Sequence, residues 1–249
     1  MNDLTDPSAS AAARSEGATK IYGSGETEVR ALDGIDVTFP KEQFTAIMGP
    51  SGSGKSTLMH CMAGLDDLTS GKVFIGNTDL TELNERELTL LRRSHIGFIF
   101  QAYNLVPTLN AIENITLPLD LAGKKPDASW VDRIVEVVSL KDRISHRPNE
   151  LSGGQQQRVA VSRALASKPE IIFADEPTGN LDSKTGTEIL EFMQLATKEL
   201  NQTIVMVTHD PVAASFSNRV IFLEDGKVVG ELADPTADSV LDQMRNIGN

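Results

Sequence analysis

Residues 49–57 read Gly-Pro-Ser-Gly-Ser-Gly-Lys-Ser-Thr. Gly49, Pro50, Ser51, Gly52, Ser53 and Gly54 form a stretch in which little side chain obstructs the backbone. Successive backbone N–H groups in such a loop can curl around phosphate oxygens, and a helix that follows adds the positive end of its dipole. Lys55 reaches the outer phosphates, and Ser56, followed by Thr57, offers its hydroxyl to Mg²⁺. The pattern carries this meaning only between a strand and a helix. Here an apolar run at 44–48 precedes it and a helical pattern at 56–63 follows.

A second constellation lies at the end of another apolar run, Ile171-Ile172-Phe173-Ala174-Asp175-Glu176. Asp175 is placed to help hold Mg²⁺, as a strand-end aspartate does in phosphate-loop enzymes. Glu176, one residue on, can take the proton of an attacking water. Alone, an Asp-Glu pair is usually an ordinary solvated strand end; beside a phosphate loop it reads as chemistry. A third feature is Leu151-Ser152-Gly153-Gly154-Gln155 ahead of a helix to about Ser167. Ser152 is a good N-cap, and two glycines leave N–H groups open to an anion. Taken alone, this segment reads equally well as a capped helix after a flexible turn.

The elements that must position these residues follow from pattern. Strands are expected across 27–48, at 72–76, and at 96–100. A charged helix is expected at about 84–93. From 105 to about 150 the pattern is helical, punctuated by Pro107, Pro118 and Pro126. Val131, Ile134, Val135 and Val138 mark one amphipathic face. Strands and helices then alternate: 171–174, 188–200, 203–208, 211–216 and 220–223, with an edge hairpin turning at Asp225-Gly226. That alternation predicts an α/β fold with a largely parallel sheet covered on both faces, interrupted by a helical insertion near 103–165.

The chain has 249 residues and a formal charge of −12, with 40% apolar residues. The apolar share suits a real core and excludes a mostly disordered chain. The acidic balance argues against nucleic-acid partners. One cysteine, Cys61, makes neither an internal disulfide nor a thiolate metal site and is expected in the core. No apolar run reaches the roughly 18 residues that span a bilayer. The start lacks the basic and apolar blocks of a secretory signal. A cytoplasmic protein is expected, with residues 1–17 as a frayed tail and any membrane role borne by a partner.

In this order and spacing, the motifs resemble the ATP-binding subunit of ABC transporters. The resemblance runs from about Thr19 to Val229, and Leu-Ser-Gly-Gly-Gln is that family's own signature. Asn104-Leu105, Leu151–Val159 and residues 174–182 further resemble the lipoprotein-release and macrolide-export subfamily. The resemblance implies a phosphate-loop core (18–102 and 166–230), an antiparallel β subdomain and an inserted helical subdomain at about 103–165; beyond it, the stretch 231–249 reads as a short polar helix or tail. It implies ATP and Mg²⁺ as ligands. Tyr22 matches the aromatic that stacks on adenine. Gln101 matches the glutamine that touches Mg²⁺ and water, and His209 the histidine that contacts the γ-phosphate. Asp182 falls in the loop that crosses the dimer interface. His60, His95 and His146 match no such position.

The resemblance also implies partners. In the family, the signature segment 152–155 completes the ATP site of a second copy, head to tail, so a homodimer is expected. Integral-membrane permease subunits are expected to dock near Tyr103–Leu109, leaving the chain peripheral on the inner membrane face. An exporter motor is the leading reading. The alternative is an ATPase that drives a membrane regulator of a cell-wall enzyme without transport. ABC proteins that act on nucleic acid carry zinc-binding cysteines or long coiled-coil insertions, and translation-factor types carry two cassettes; this chain has neither.

Overall fold

Apolar residues on both sides of a strand require cover on both sides, and that requirement organises this chain. The computed structural model describes residues 11–247. It opens with β1 (Ala11–Tyr22), β2 (Val29–Pro40), β3 (Phe44–Met48), α1 (Lys55–Met62), β4 (Ser70–Ile75) and β5 (Thr78–Asp79). Next come α2 (Glu85–His95), β6 (Ile96–Phe100), α3 (Ala111–Leu121), α4 (Ala128–Val137) and α5 (Gly153–Ala166). The remainder is β7 (Ile171–Asp175), α6 (Ser183–Leu200), β8 (Ile204–Val207), α7 (Pro211–Ala214), β9 (Arg219–Glu224), β10 (Lys227–Ala233) and α8 (Ala237–Ile247).

Six strands form one sheet in the order β10-β9-β3-β8-β7-β6, parallel except for β10. Alternate side chains divide between two cores, as a period of two demands. Phe44, Ala46, Met48, Ile172, Ala174, Ile204 and Met206 face one cluster with α5, α6 and the inserted helices. Ile47, Ile171, Phe173, Val205, Val207 and Ile221 face the other, with α1, α2 and the second sheet. That second sheet is antiparallel, ordered β2-β1-β4-β5. The phosphate-loop core, antiparallel subdomain and helical insertion are therefore all present. The α4 stripe is buried at Val131, Ile134 and Val135, as its spacing predicts.

Four expectations need correction. The frayed tail is wrong for residues 11–17, which form the first half of β1, interior to its sheet; residues 1–10 lie outside the described residues. Ala11, Ala12 and Ala13 lack β-branched bulk, yet all three are buried, Ala12 and Ala13 within the second core. Pro118 does not punctuate: it sits inside α3, where the Ala122 N–H still bonds its carbonyl at 3.1 Å. Helix α6 starts at Ser183, five residues before the expected 188, because the Asp182 carboxylate caps Thr185 N–H at 3.1 Å. Within the stretch expected as a polar helix or tail, a helix is present over 237–247, but it is not polar throughout. Residues 231–233 complete β10, and α8 is amphipathic, with Val240 buried and Met244 and Ile247 packed on the larger core.

Candidate functional site

Glycine is required in the loop 49–54 by contact as well as by conformation. A Cβ on Gly49 would lie 2.0 Å from the Leu223 carbonyl oxygen, and one on Gly54, at φ +99°, 2.4 Å from that of Ala31. The loop is thus pressed between β2 and β9 and leads directly into α1. Lys55 Nζ donates to the carbonyls of Gly49 at 3.0 Å and Pro50 at 2.7 Å. Burial pushes its pKa below the ordinary lysine range, while the charges of Glu176 and Asp175 act the other way. Ser53 is buried, and its hydroxyl has no hydrogen-bond partner.

Parallel pairing brings the other groups to the same edge. In register, Ile47 stands beside Val207, Val207 beside Asp175, and Asp175 beside Phe100. The residues that follow these strand ends, at 49, 176, 208 and 101, therefore emerge side by side at the carboxyl end of the sheet, where ligands of open α/β folds bind. Glu176 adopts φ +45°, a left-handed conformation rare for a side-chain-bearing residue. Its N–H donates to Val207 O, and its carbonyl accepts from Gly179 N–H, each at 3.0 Å. Its Oε1 lies 2.7 Å from His209 Nδ1. A carboxylate only accepts, so that ring nitrogen carries the hydrogen. Backbone strain of this kind concentrates at reacting groups.

These residues line an open cleft of about 450 Å³. Gly49, Ser51, Gly52, Gly54, Lys55, Ser56, Thr57, Glu176 and His209 share its walls. Val29, Arg30 and Ala31 line it too; nothing in the sequence singled them out, because they reach the loop only through the fold of β2. The remaining candidates lie outside that wall. Tyr22 is exposed, its hydroxyl donating to Asp66 Oδ2 at 2.5 Å and Lys20 Nζ 4.9 Å from its ring centroid. Gln101 is bound to Asn180, Nε2 to Oδ1 at 3.3 Å, with Asn180 Nδ2 returning to Gln101 O at 3.0 Å. Ser152 caps α5 in a closed box: its Oγ accepts from Gln155 N–H at 3.3 Å, and its own N–H donates to Gln155 Oε1 at 3.0 Å. Gly153 and Gly154 open that helix, where a Cβ on Gly154 would meet Thr185 Cγ2 at 2.3 Å. Asp182 caps α6.

The donor set fits Mg²⁺. No group of three or more His, Cys, Asp or Glu side chains able to hold a metal occurs among the described residues. Mg²⁺ needs none: one carboxylate, a hydroxyl, phosphate oxygens and waters complete its octahedron. Asp175 is half-buried, and burial raises its pKa despite nearby His60 and Lys55. Among the described residues no hydrogen bond or salt bridge reaches its carboxylate. His60 had no expected role, and its nearness to Asp175 was not legible from a helix position.

That isolation predicts a trade. The folded chain holds a proton at Asp175 more tightly than the unfolded chain does, so the charged form destabilises it at neutral pH. The penalty shrinks as pH falls through the raised pKa. Asp175→Asn therefore raises the melting temperature measured without nucleotide at pH 7.5, by ~2–4 °C per kcal/mol relieved. The gain narrows at lower pH. The same variant loses the extra stabilisation that Mg²⁺ adds to ATP in a thermal-shift titration.

Comparison with known proteins places this geometry. The family model for ABC transporters matches residues 32–179. The lipoprotein-releasing system ATP-binding protein LolD of Geobacter metallireducens is 46% identical over 215 residues, covering 86% of this chain and 96% of that protein. The bacitracin export ATP-binding protein BceA of Halalkalibacterium halodurans is 45% identical over 218 residues, covering 86% and 85%. Among solved structures, the dimeric post-hydrolysis state of the Methanocaldococcus jannaschii cassette MJ0796, bound to ADP and Pi, superposes with a TM-score of 0.79. It is 41% identical and covers 90% of this chain and 99% of its own. A phosphate loop pinned between two strands, a strained glutamate beside it and kinship over most of the length lead to one conclusion: this chain belongs to the ABC transporter family and is an ATP-hydrolysing, ATP-binding subunit.

Proposed function

We propose that two copies of the chain close head to tail around two ATP molecules and drive a membrane exporter, with hydrolysis reopening them. The observation that carries this reading is the cleft itself. It holds the loop 49–57, Glu176 and His209 but none of Ser152–Gln155, which present a capped helix start elsewhere on the surface. One chain neutralises only one side of a nucleotide. In the proposed dimer the N-terminus of α5 from the second copy supplies the other.

Within that dimer each group has a defined task. The loop N–H groups and Lys55 bind the phosphates and draw charge from them. Ser56 and Asp175 would hold Mg²⁺, with Gln101 at the edge, and the ion would offset phosphate charge there. Glu176 takes a proton from the water that attacks the γ-phosphorus as the bond to ADP breaks. His209 orients that carboxylate and faces the γ-phosphate. Tyr22 offers a ring face to adenine, and Asp182 stands at the dimer interface. Hydrolysis cuts the γ-phosphoryl group free of ADP, and once that phosphate leaves, the charge both copies share is gone and closure weakens.

Export rather than regulation is favoured by the relatives, whose names record lipoprotein release and bacitracin export. No helix among the described residues is long and apolar enough to cross a membrane, so the permease is a separate partner in this reading, holding the subunit at the inner face. Leu105, in the segment expected to meet that partner, is partly buried and packs against the larger core. A better surface is the groove of about 320 Å³ lined by Arg92, Arg93, Phe98, Phe100, Pro118 and Arg163. Its floor is a stacked pair, Phe98 and Phe100, 5.7 Å apart. Arg163 reaches from it to the Tyr103 and Asn104 carbonyls at 3.0 and 2.6 Å, beside Gln101. Arg93→Glu at its exposed rim is expected to abolish stimulation of ATPase activity by the copurified permease while the isolated subunit binds ATP normally. Retained stimulation removes this groove from the docking role.

A further inference from the structure

Helix α5 does more than present Ser152. Gln157, in its second turn, is fully buried. Its Nε2 donates to the carbonyl of Pro177 at 2.5 Å, the residue immediately after Glu176. Its Oε1 is buried with no partner. A buried amide with an unmatched oxygen is a poor way to fill space, since an apolar side chain of the same shape avoids the desolvation. What the amide secures is a single carbonyl.

That carbonyl matters because of its neighbour. Glu176 is held at φ +45° by Val207 O on its N–H and by Gly179 N–H on its own carbonyl. Those contacts come from the sheet and from the turn itself. The third restraint, one residue on, comes from a different element, the helix whose first turn is the signature. The same helix is wedged against α6, where Gly154 admits the Thr185 side chain.

We propose that Gln157 is a positioning residue for Glu176, fixing the base from the signature helix through the Pro177 carbonyl. This rests on the readings of Glu176 as the base and of Ser152–Gln155 as the segment that engages the partner copy's nucleotide. In the closed dimer, the helix that engages one nucleotide through its first turn steadies the glutamate that works on the other. A residue acting only through Glu176 has no effect once Glu176 cannot act, which gives the test.

Gln157→Met keeps the length and removes the donor; Gln157→Asn keeps the amide but falls short of Pro177. Each is made in the wild-type chain and in Glu176→Gln, and ATP turnover is followed under single-turnover conditions with radiolabelled ATP. In the wild-type background, turnover is expected to fall roughly ten- to hundredfold, the scale of a small misplacement at a reacting group. Affinity for a fluorescent ATP analogue is expected to stay within about twofold, and melting temperature to hold or rise for Gln157→Met. In the Glu176→Gln background, neither change is expected to lower turnover further. Wild-type turnover in both variants overturns the proposal, as does an equal fall in both backgrounds. If Glu176→Gln itself turns over normally, the base assignment fails instead.

Discussion

Glu176→Gln lowers kcat roughly 10²–10⁴-fold, the usual worth of a positioned general base, and leaves ATP binding intact. The substitution preserves shape. The amide oxygen can still accept from His209 Nδ1, which stands 2.7 Å away, and the backbone bonds to Val207 and Gly179 do not involve the side chain. The left-handed φ is therefore kept, and the fold with it. Removing one negative charge from a cleft that receives polyphosphate also favours binding. With entry unimpeded and hydrolysis blocked, nucleotide-loaded dimers accumulate. Size-exclusion chromatography with ATP is expected to move the variant from monomer to dimer, and ADP is expected not to. Near-normal turnover removes Glu176 from the base role; slow turnover without dimers leaves the base and overturns the closure.

Much of this site was legible because its chemistry is written in contiguous residues. The loop 49–57 and the pair Asp175-Glu176 sit directly after apolar strands, so local pattern placed both the groups and the elements that carry them. Strand β6, predicted at 96–100, matches residue for residue for the same reason. The misses share a different cause. The first half of strand β1 is alanines, Arg14, Ser15, Glu16 and Gly17, and only pairing on both sides with β2 and β4 makes it a strand. Arg30 and His60 approach the site through tertiary packing, which no spacing encodes. Gln157 carried no expectation from sequence; its buried contact with Pro177 joins residues twenty apart and exists only once α5 has packed on the sheet. Leu105 shows a different ambiguity, since an apolar loop residue can serve a partner or the core, and here it packs partly against the core.

Mixing two inactive variants is expected to restore activity, and this is the sharpest consequence of a site shared between copies. Lys55→Ala removes the only lysine in the phosphate loop, along with its contacts to Gly49 and Pro50. Ser152→Asp is chosen so that the helix survives. Aspartate caps as well as serine, so the Gln155 N–H keeps an acceptor, and a carboxylate suits a helix N-terminus. Its melting temperature should match the wild type. Against a partner's γ-phosphate, however, the new charge is repulsive, by about 4 kcal/mol for unit charges at roughly 4 Å near a protein surface. Each variant alone is thus expected to hydrolyse ATP at background rates. A mixed dimer joins the intact loop of the Ser152→Asp chain to the intact signature of the Lys55→Ala chain, giving one working site of two. In an equal mixture half the dimers are mixed, so about a quarter of the wild-type rate should return if symmetric pairing is random and sites act independently. A site contained within one chain allows no recovery, because every chain in the mixture is defective. Recovery that rises with total protein concentration, as association requires, separates the shared site from any residual activity of either variant.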